Sequence, residues 1–122
     1  MAKVRDLMAT RLHTVGPDET VGEAVAVMAQ NRVGSVLVMD GEALVGIFTE
    51  RDTVRAISQS HDAPRHQITS WMTHDPRTVE PGVEVEDALQ TMLDNGFRHL
   101  PVVEDGKVVG IVSMRDLAAE TT

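Results

Sequence analysis

The sequence predicts an α/β fold, in the broader sense of a mixed α+β chain, built from two small β-α-β-β-α units. The segment 7–54 aligns without a gap on the segment 71–118, at an offset of 64 residues, and about 14 of the 48 aligned pairs are identical. Each half also repeats the same order of helical and extended patterns. We therefore predict a first unit at 1–60, a connector at 61–70 and a second unit at 71–122.

One amphipathic helix is predicted early in each half. Thr20 and Glu23 have the spacing of a capping box, in which a hydroxyl and a carboxylate accept hydrogen bonds from free backbone N–H groups at the helix start. Apolar residues then recur every three to four positions, as in a helix with one buried face. This stripe consists of Val21, Ala24, Val25, Met28 and Ala29 in the first half, and of Val85, Ala88, Leu89, Met92 and Leu93 in the second.

A β-hairpin and a second helix follow in each half. An acidic residue before glycine, between two apolar runs, is typical of a tight hairpin turn. The runs are 35–39 and 43–48 around Asp40-Gly41, and 100–103 and 107–112 around Asp105-Gly106. Second helices are predicted to begin near Glu50 and Met114, and short extended pieces are predicted at Thr14-Val15 and Thr78-Val79.

The composition is that of a soluble globular protein and disfavours several kinds of partner. The formal net charge is −8 and aromatic residues make up 2% of the chain, whereas nonspecific binding to nucleic acid or anionic membranes needs clustered Lys and Arg. No apolar run approaches the roughly 20 residues that span a bilayer, and the first residues do not form a signal peptide, so we expect a cytoplasmic protein. The chain has no cysteine, which excludes disulfides and thiolate metal sites.

The two halves are expected to pack on each other. A half of roughly 50 residues buries too little surface to be stable alone, so the repeat predicts a tandem pair related by a pseudo-two-fold axis. Ligand sites are common in such clefts, and we expect one along this axis. Helix faces that remain uncovered in one pair are expected to associate in a homodimer.

These motifs resemble those of the CBS-domain family, in which a tandem pair is also called a Bateman module. In the first half the resemblance rests on Thr14-Val15-x-Pro17, on Gly34-Ser35-Val36 and on the run 46–52. In the second half it rests on Thr78-Val79-x-Pro81, on Arg98-His99-Leu100-Pro101 and on the run 110–116. The resemblance implies a β-α-β-β-α unit and an adenosine-containing ligand in the cleft between paired units.

The resemblance also implies which residues bind the ligand. A carboxylate at the positions of Asp52 and Asp116 holds ribose hydroxyls in the family, and the hydroxyl residue three positions earlier contacts ribose or phosphate. The basic pair Arg98 and His99 lies where similar proteins contact phosphate, whereas the first half has uncharged residues at these positions. The implied set is Thr14, Val15, Gly34, Ser35, Thr49, Arg51, Asp52, Thr78, Val79, Arg98, His99, Pro101, Ser113, Arg115 and Asp116.

The same residues also have a purely structural explanation. Thr49 with Asp52, and Ser113 with Asp116, have the spacing of a helix cap, and an acidic residue in the first turn interacts favourably with the helix dipole. The basic pair could equally be a solvated strand end. Both roles can coexist, because a helix N-terminus also favours a bound phosphate.

We therefore expect a regulatory module, not an enzyme, that binds AMP, ADP, ATP or S-adenosylmethionine and requires no cofactor or metal. The sequence carries no catalytic, channel or DNA-binding segment beside the repeat, so we expect it to act in trans on a protein partner or to serve as a nucleotide buffer. The alternative is a structural dimerisation module whose clefts bind nothing. An enzyme of phosphoryl transfer is disfavoured, because a Walker-type loop, a nucleophile elbow and a His-Glu-x-x-His motif are all missing from the sequence.

Overall fold

The structure, a computed structural model, describes residues 2–121 and contains two compact units. The first, His13–Pro76, is one unbroken stretch of chain, which we call the continuous unit. The second, which we call the split unit, combines the residues up to Leu12 with those from Arg77 onward. This division differs from the predicted one at 1–60, 61–70 and 71–122, because the segment before each predicted repeat core packs with the other half.

The elements follow the predicted order in both halves. In chain order they are α1 (Val4–Leu7), β1 (Thr14–Val15), α2 (Val21–Asn31), β2 (Ser35–Asp40), β3 (Ala43–Thr49), α3 (Glu50–Gln59), β4 (Thr73–His74), α4 (Val85–Asn95), β5 (His99–Glu104), β6 (Lys107–Ser113) and α5 (Met114–Thr121). Two short 3-10 turns, Ala63–Arg65 and Ile68–Ser70, lie between α3 and β4. None of the helices in the described part of the chain is long and apolar enough to cross a membrane.

The continuous unit contains a four-stranded sheet in the order β1-β2-β3-β4. Strand β1 runs parallel to β2, whereas β2 with β3 and β3 with β4 are antiparallel. The apolar faces of the sheet and of α2 form one core, because both periodic patterns point their apolar residues to the same side. This core contains Val15, Val21, Ala24, Met28, Val36, Val38, Phe48, Ile68 and Met72.

Helix α2 forms as its sequence predicts. The Oγ1 of Thr20 accepts a hydrogen bond from the N–H of Glu23 at 3.1 Å, and the Glu23 carboxylate accepts one from the N–H of Thr20 at 3.3 Å. This reciprocal cap satisfies two of the backbone donors that a helix start leaves free. The helix ends at Asn31, and the capping residue Arg32 adopts the left-handed conformation with φ of 54°. The predicted capping box is confirmed.

The split unit has the same strand order with shorter edges. Strands β5 and β6 form an antiparallel hairpin, Val79 makes a single parallel bridge to Val102, and Ala9 makes a single antiparallel bridge to Ile111. Each bridge lies 64 positions from its counterpart in the continuous unit, so the repeat extends to the pairing of the edges. The core of this unit contains Val4, Val85, Ala88, Met92, Leu100, Val102, Val112 and Leu117.

The two hairpin turns lie at equivalent positions of the repeat, but the first is displaced from its predicted position. Asp40 still belongs to β2, where it is paired with Ala43, so the turn lies at residues 41 and 42, one position beyond the predicted Asp40-Gly41. The second turn is at Asp105-Gly106 as predicted, and both residues have positive φ, of 53° and 80°. Two consecutive left-handed residues are what a type I′ turn requires.

The predicted connector at 61–70 is an integral part of the continuous unit. Ala63 and Ile68 are fully buried, and the N–H of Ile68 donates to the carbonyl oxygen of Glu19 at 2.8 Å. Met72, the residue before β4, lies over Gly46 of β3. The split unit repeats this contact with Met8 over Gly110. A glycine at both places lets a methionine side chain lie directly on the strand.

Candidate functional site

The predicted site residues of the continuous unit meet at the corner between β3 and α3. Thr49 is the last residue of β3 and lies opposite Ser35 on β2. The N–H of Glu50, the first residue of α3, donates to the carbonyl oxygen of Gly34 at 3.0 Å. The hairpin and the start of the helix therefore bring Gly34, Ser35, Thr49 and Asp52 into one place.

Asp52 is held in this corner by a helix cap. Its Oδ2 accepts hydrogen bonds from the N–H and the Oγ1 of Thr49, at 3.0 and 3.1 Å. The Oγ1 of Thr49 in turn accepts one from the N–H of Asp52 at 3.3 Å. Asp52 is only 9% exposed. The structural role expected for Thr49 and Asp52 is therefore present, and it orients the carboxylate that the family resemblance assigns to ribose.

An arginine that the sequence analysis did not single out also contacts Asp52. Arg55 Nη2 lies 3.4 Å from Asp52 Oδ1 and donates a hydrogen bond to the carbonyl oxygen of Trp71 at 2.9 Å. Its guanidinium carbon lies 5.5 Å from the centre of the Trp71 ring, within the range of a cation–π contact. The i, i+3 spacing on α3 predicts the contact with Asp52, whereas nothing local in the sequence predicts the contact with Trp71.

Trp71 continues this set of contacts to His66. The indole Nε1–H donates to His66 Nδ1 at 3.0 Å, and the two rings are nearly parallel, with 7° between their planes. The backbone oxygen of His66 accepts a hydrogen bond from the N–H of Val21 at 2.9 Å, at the start of α2. The corner at Asp52 is thus connected through Arg55 and Trp71 to the first residue of α2.

The split unit has an equivalent corner between β6 and α5. His99 lies opposite Ser113, and the N–H of Met114 donates to the carbonyl oxygen of Arg98 at 2.7 Å. Asp116 Oδ2 accepts a hydrogen bond from the N–H of Ser113 at 3.2 Å, and Ser113 Oγ accepts one from the N–H of Asp116 at 3.1 Å. Asp116 is exposed, unlike Asp52 in the other unit. The two corners therefore share a geometry but differ in burial.

The remaining predicted residues lie beside these corners. In the continuous unit Thr14 lies opposite Leu37, two residues along β2 from Ser35. In the split unit the N–H of Val79 donates to the carbonyl oxygen of Pro101 at 3.0 Å, two residues along β5 from His99. The others are the buried Val15 of β1, the exposed Thr78 before Val79, and the exposed Arg51 and Arg115 in the first turns of α3 and α5.

The chemistry of these corners suits a polar ligand that carries hydroxyls and an anionic group. A carboxylate can accept hydrogen bonds from two vicinal hydroxyls, and the start of a helix favours an anion. Only the split unit adds a basic pair to its corner, since Gly34 and Ser35 replace Arg98 and His99 in the continuous unit. Among residues 2–121, no group of three His, Asp or Glu side chains is placed to hold a metal ion.

Comparison with known proteins accounts for the repeated corner. The CBS domain matches the chain twice, at residues 4–59 and 67–121. The chain belongs to the CBS-domain family. It is a tandem CBS pair, as the sequence predicted, and the two matches together include every residue of both corners. Each match begins before the repeat core, in the segment that packs with the other half.

Several known proteins are similar to nearly the whole of this chain. An uncharacterised 17.7 kDa protein of Acidianus ambivalens is 44% identical over 119 residues, which cover 95% of this chain and 71% of that protein. The crystal structure of the CBS-domain containing protein ATU1752 from Agrobacterium tumefaciens matches 99% of this CBS pair and 100% of that chain, with a TM-score of 0.93 and 31% identity. The crystal structure of CBSX2 in complex with AMP has a TM-score of 0.85 and 27% identity, over 98% of this chain and 95% of that one. The predicted mixed α+β fold is confirmed.

Proposed function

We propose that this CBS pair is a regulatory module, not an enzyme, that binds an adenine nucleotide and acts in trans on a partner protein. The observation that carries the proposal is the corner of the split unit, where an exposed carboxylate, a hydroxyl and a helix start lie beside the only basic pair of the two corners. The similarity to CBSX2, whose structure contains AMP, supports an adenine nucleotide as the ligand.

The proposal gives each residue of the corner a role that matches its chemistry. Asp116 accepts hydrogen bonds from the ribose hydroxyls, and Ser113 contacts the ribose or the phosphate. Arg98 and His99 contact the phosphate, with Arg115 as a further cation nearby. In the continuous unit Thr49 and Asp52 take the positions of Ser113 and Asp116. Gly34 and Ser35 lie beside them, and Arg51 is the cation of this corner. The adenine base contacts the neighbouring strand residues. These are Thr14 and Val15 in the continuous unit, and Thr78, Val79 and Pro101 in the split unit.

A thermal-shift screen tests whether the ligand is an adenine nucleotide. AMP, ADP, ATP and S-adenosylmethionine are added separately to the full chain, with GMP as a control for the base. A ligand at 100 times its dissociation constant adds about 2.7 kcal/mol to the free energy of unfolding, so binding gives a clear rise in melting temperature. If GMP and AMP raise the melting temperature equally, the assignment of an adenine ligand is wrong.

The ribose contact is tested by Asp116→Asn. We expect it to weaken AMP binding about tenfold or more, because it removes charge-assisted hydrogen bonds of about 1.5 to 3 kcal/mol. The control is Glu86→Gln, which removes another exposed negative charge, from the first turn of α4. Calorimetry with both variants separates the two explanations. If both variants bind AMP as the wild type does and Asp116→Asn melts at a much lower temperature, Asp116 is a helix cap and nothing more.

The phosphate contact is tested by replacing Arg98 and His99 with alanine together. We expect the double variant to lose AMP affinity about tenfold to a hundredfold, while adenosine, which has no phosphate, binds almost unchanged. The comparison of the two ligands is internal, so any loss of folded protein affects both equally. Equal losses for AMP and adenosine would show that the pair supports the fold or the base, and would remove the phosphate assignment.

A structural dimerisation module is the second candidate, and exposed apolar side chains favour it. Val54 on α3 and Leu93 on α4 are 70% and 59% exposed, and a second copy of the chain could cover such apolar side chains. In this alternative the homodimer is the functional unit and Asp52 and Asp116 serve only as caps. A dimer that forms equally well with and without AMP, and that shows no AMP binding by calorimetry, would favour it over the nucleotide module.

A further inference from the structure

The carboxylates of the two corners differ in how they are held. In the continuous unit Oδ2 of Asp52 already accepts two hydrogen bonds from Thr49, and Oδ1 faces Nη2 of Arg55 at 3.4 Å. In the split unit Asp116 is exposed, and Ala119 takes the position that corresponds to Arg55. A ligand hydroxyl can therefore approach Asp116 directly, whereas at Asp52 it must share Oδ1 with Arg55.

The same nitrogen of Arg55 serves both Asp52 and Trp71. Nη2 donates to the Trp71 carbonyl oxygen at 2.9 Å, and the guanidinium lies over the indole ring. The guanidinium is planar and rigid. If Nη2 moves relative to the Asp52 carboxylate, it therefore also moves relative to the Trp71 carbonyl oxygen and the indole ring. The split unit lacks this arrangement, since Leu7 takes the position that corresponds to Trp71.

We propose that Arg55 is a positioning residue that couples ligand occupancy at Asp52 to the segment around Trp71. A ribose hydroxyl that donates to Asp52 Oδ1 takes over part of the contact with Arg55, and the guanidinium moves relative to the indole. Trp71 donates its Nε1–H to His66, whose backbone oxygen holds the N–H of Val21 at the start of α2. Ligand binding at Asp52 thereby affects the start of α2. The inference rests on the proposed nucleotide binding and adds how one of the two corners reports it.

Trp71 is the only tryptophan of the chain, so its fluorescence reports this contact without interference. AMP is titrated into the full chain while Trp71 emission is followed, and calorimetry measures binding in parallel. We expect the wild-type emission to change with AMP. Arg55→Gln should change AMP affinity about fivefold or less, because the ion pair involves a side chain that is 46% exposed, and should abolish the emission change. The control, Arg77→Gln, removes an exposed positive charge from the split unit and should retain the emission change.

Carboxylate variants locate the signal, and circular dichroism establishes that each variant is folded. Asp52→Asn should abolish the change in Trp71 emission. Asp116→Asn should leave that change in place at AMP concentrations that saturate the corner at Asp52. The conservative variant Arg55→Lys keeps the charge but not the planar fork, and should give a smaller signal than the wild type. An emission change that survives in Arg55→Gln, or wild-type AMP binding without any change, overturns the coupling alone. Absence of calorimetric binding to the wild type overturns the proposed function as well.

Discussion

Gly46 packs beneath Met72 so closely that the effect of adding a single methyl group can be worked out. A Cβ at position 46 would overlap Met72 Sδ and would lie 2.9 and 3.0 Å from its Cε and Cγ. All three of these atoms belong to one flexible side chain. Gly46→Ala is therefore expected to cost about 1 to 3 kcal/mol, the usual range for overpacking a core.

The second variant in this experiment removes the side chain that the methyl group would strike. Met72 is buried, and Met72→Ala is expected to cost about 2 to 5 kcal/mol through the cavity it leaves. In the double variant the methyl group added at position 46 enters the space that the Met72 side chain has vacated. The double variant should therefore be less destabilised than the sum of the single variants, by about 0.5 to 3 kcal/mol.

The equivalent pair in the split unit provides a matched comparison. A Cβ at Gly110 would lie 2.8 Å from Met8 Sδ and also 2.9 Å from the backbone oxygen of Ala9. That oxygen accepts a hydrogen bond from the N–H of Ile111 at 2.9 Å, so it cannot withdraw without breaking the edge pairing. Met8→Ala should consequently relieve Gly110→Ala much less than Met72→Ala relieves Gly46→Ala.

Urea denaturation followed by far-ultraviolet circular dichroism gives the free energy of unfolding for the wild type and the six variants of the two cycles. Circular dichroism is preferred because Trp71 adjoins Met72 and its fluorescence would respond to the substitution directly. If the effects of Gly46→Ala and Met72→Ala add within about 0.5 kcal/mol, the two residues do not compete for the same space. Equal relief in both units would show that the backbone of Ala9 gives way and that its hydrogen bond with Ile111 does not hold it in place.

Three further outcomes follow from the packing. Thr20→Ala should lower the free energy of unfolding by about 1 kcal/mol through loss of the α2 cap, measured by urea denaturation, and Thr20→Ser should restore most of it. His66→Ala should cost about 1 to 3 kcal/mol and shift Trp71 emission, because the indole N–H loses its acceptor; an unchanged emission spectrum would contradict that contact. Sedimentation at micromolar concentration should give twice the mass of the chain, and Val54→Ser with Leu93→Ser should favour the monomer; a monomeric wild type would refute the homodimer.

Local chemistry accounts for the parts of the fold and site that the sequence predicted. The cap of α2 and the Thr49–Asp52 corner each involve residues three positions apart, so the sequence alone shows that the groups meet. The sequence also predicted the four hairpin strands, each to within one residue at either end. The pairing of Asp40 with Ala43 is equivalent to that of Glu104 with Lys107, so the Asp-Gly pair of the first half begins one position before its turn.

The exchange of segments between the halves could not be predicted in this way. Met8 and Met72 are equivalent in the repeat, as are Gly46 and Gly110, so the local pattern is the same whichever methionine covers which glycine. Only the tertiary structure decides the pairing. The contact of Arg55 with Trp71 was missed for a related reason, since the two residues are 16 positions apart and belong to different elements.

The exchange of segments gives the two units different folding histories. All residues of the continuous unit, His13–Pro76, have been synthesised before the hairpin of the split unit begins to emerge from the ribosome. The residues up to Leu12 can pack only after the residues from Arg77 onward have been synthesised. Closing a disordered loop of 64 residues between these two segments costs roughly 4 kcal/mol of free energy. We therefore expect the continuous unit to fold first. Its two ends, once fixed, would shorten the loop that the split unit must close. A circular permutant that starts at Arg77 and returns to residue 2 would make both units continuous and remove this delay.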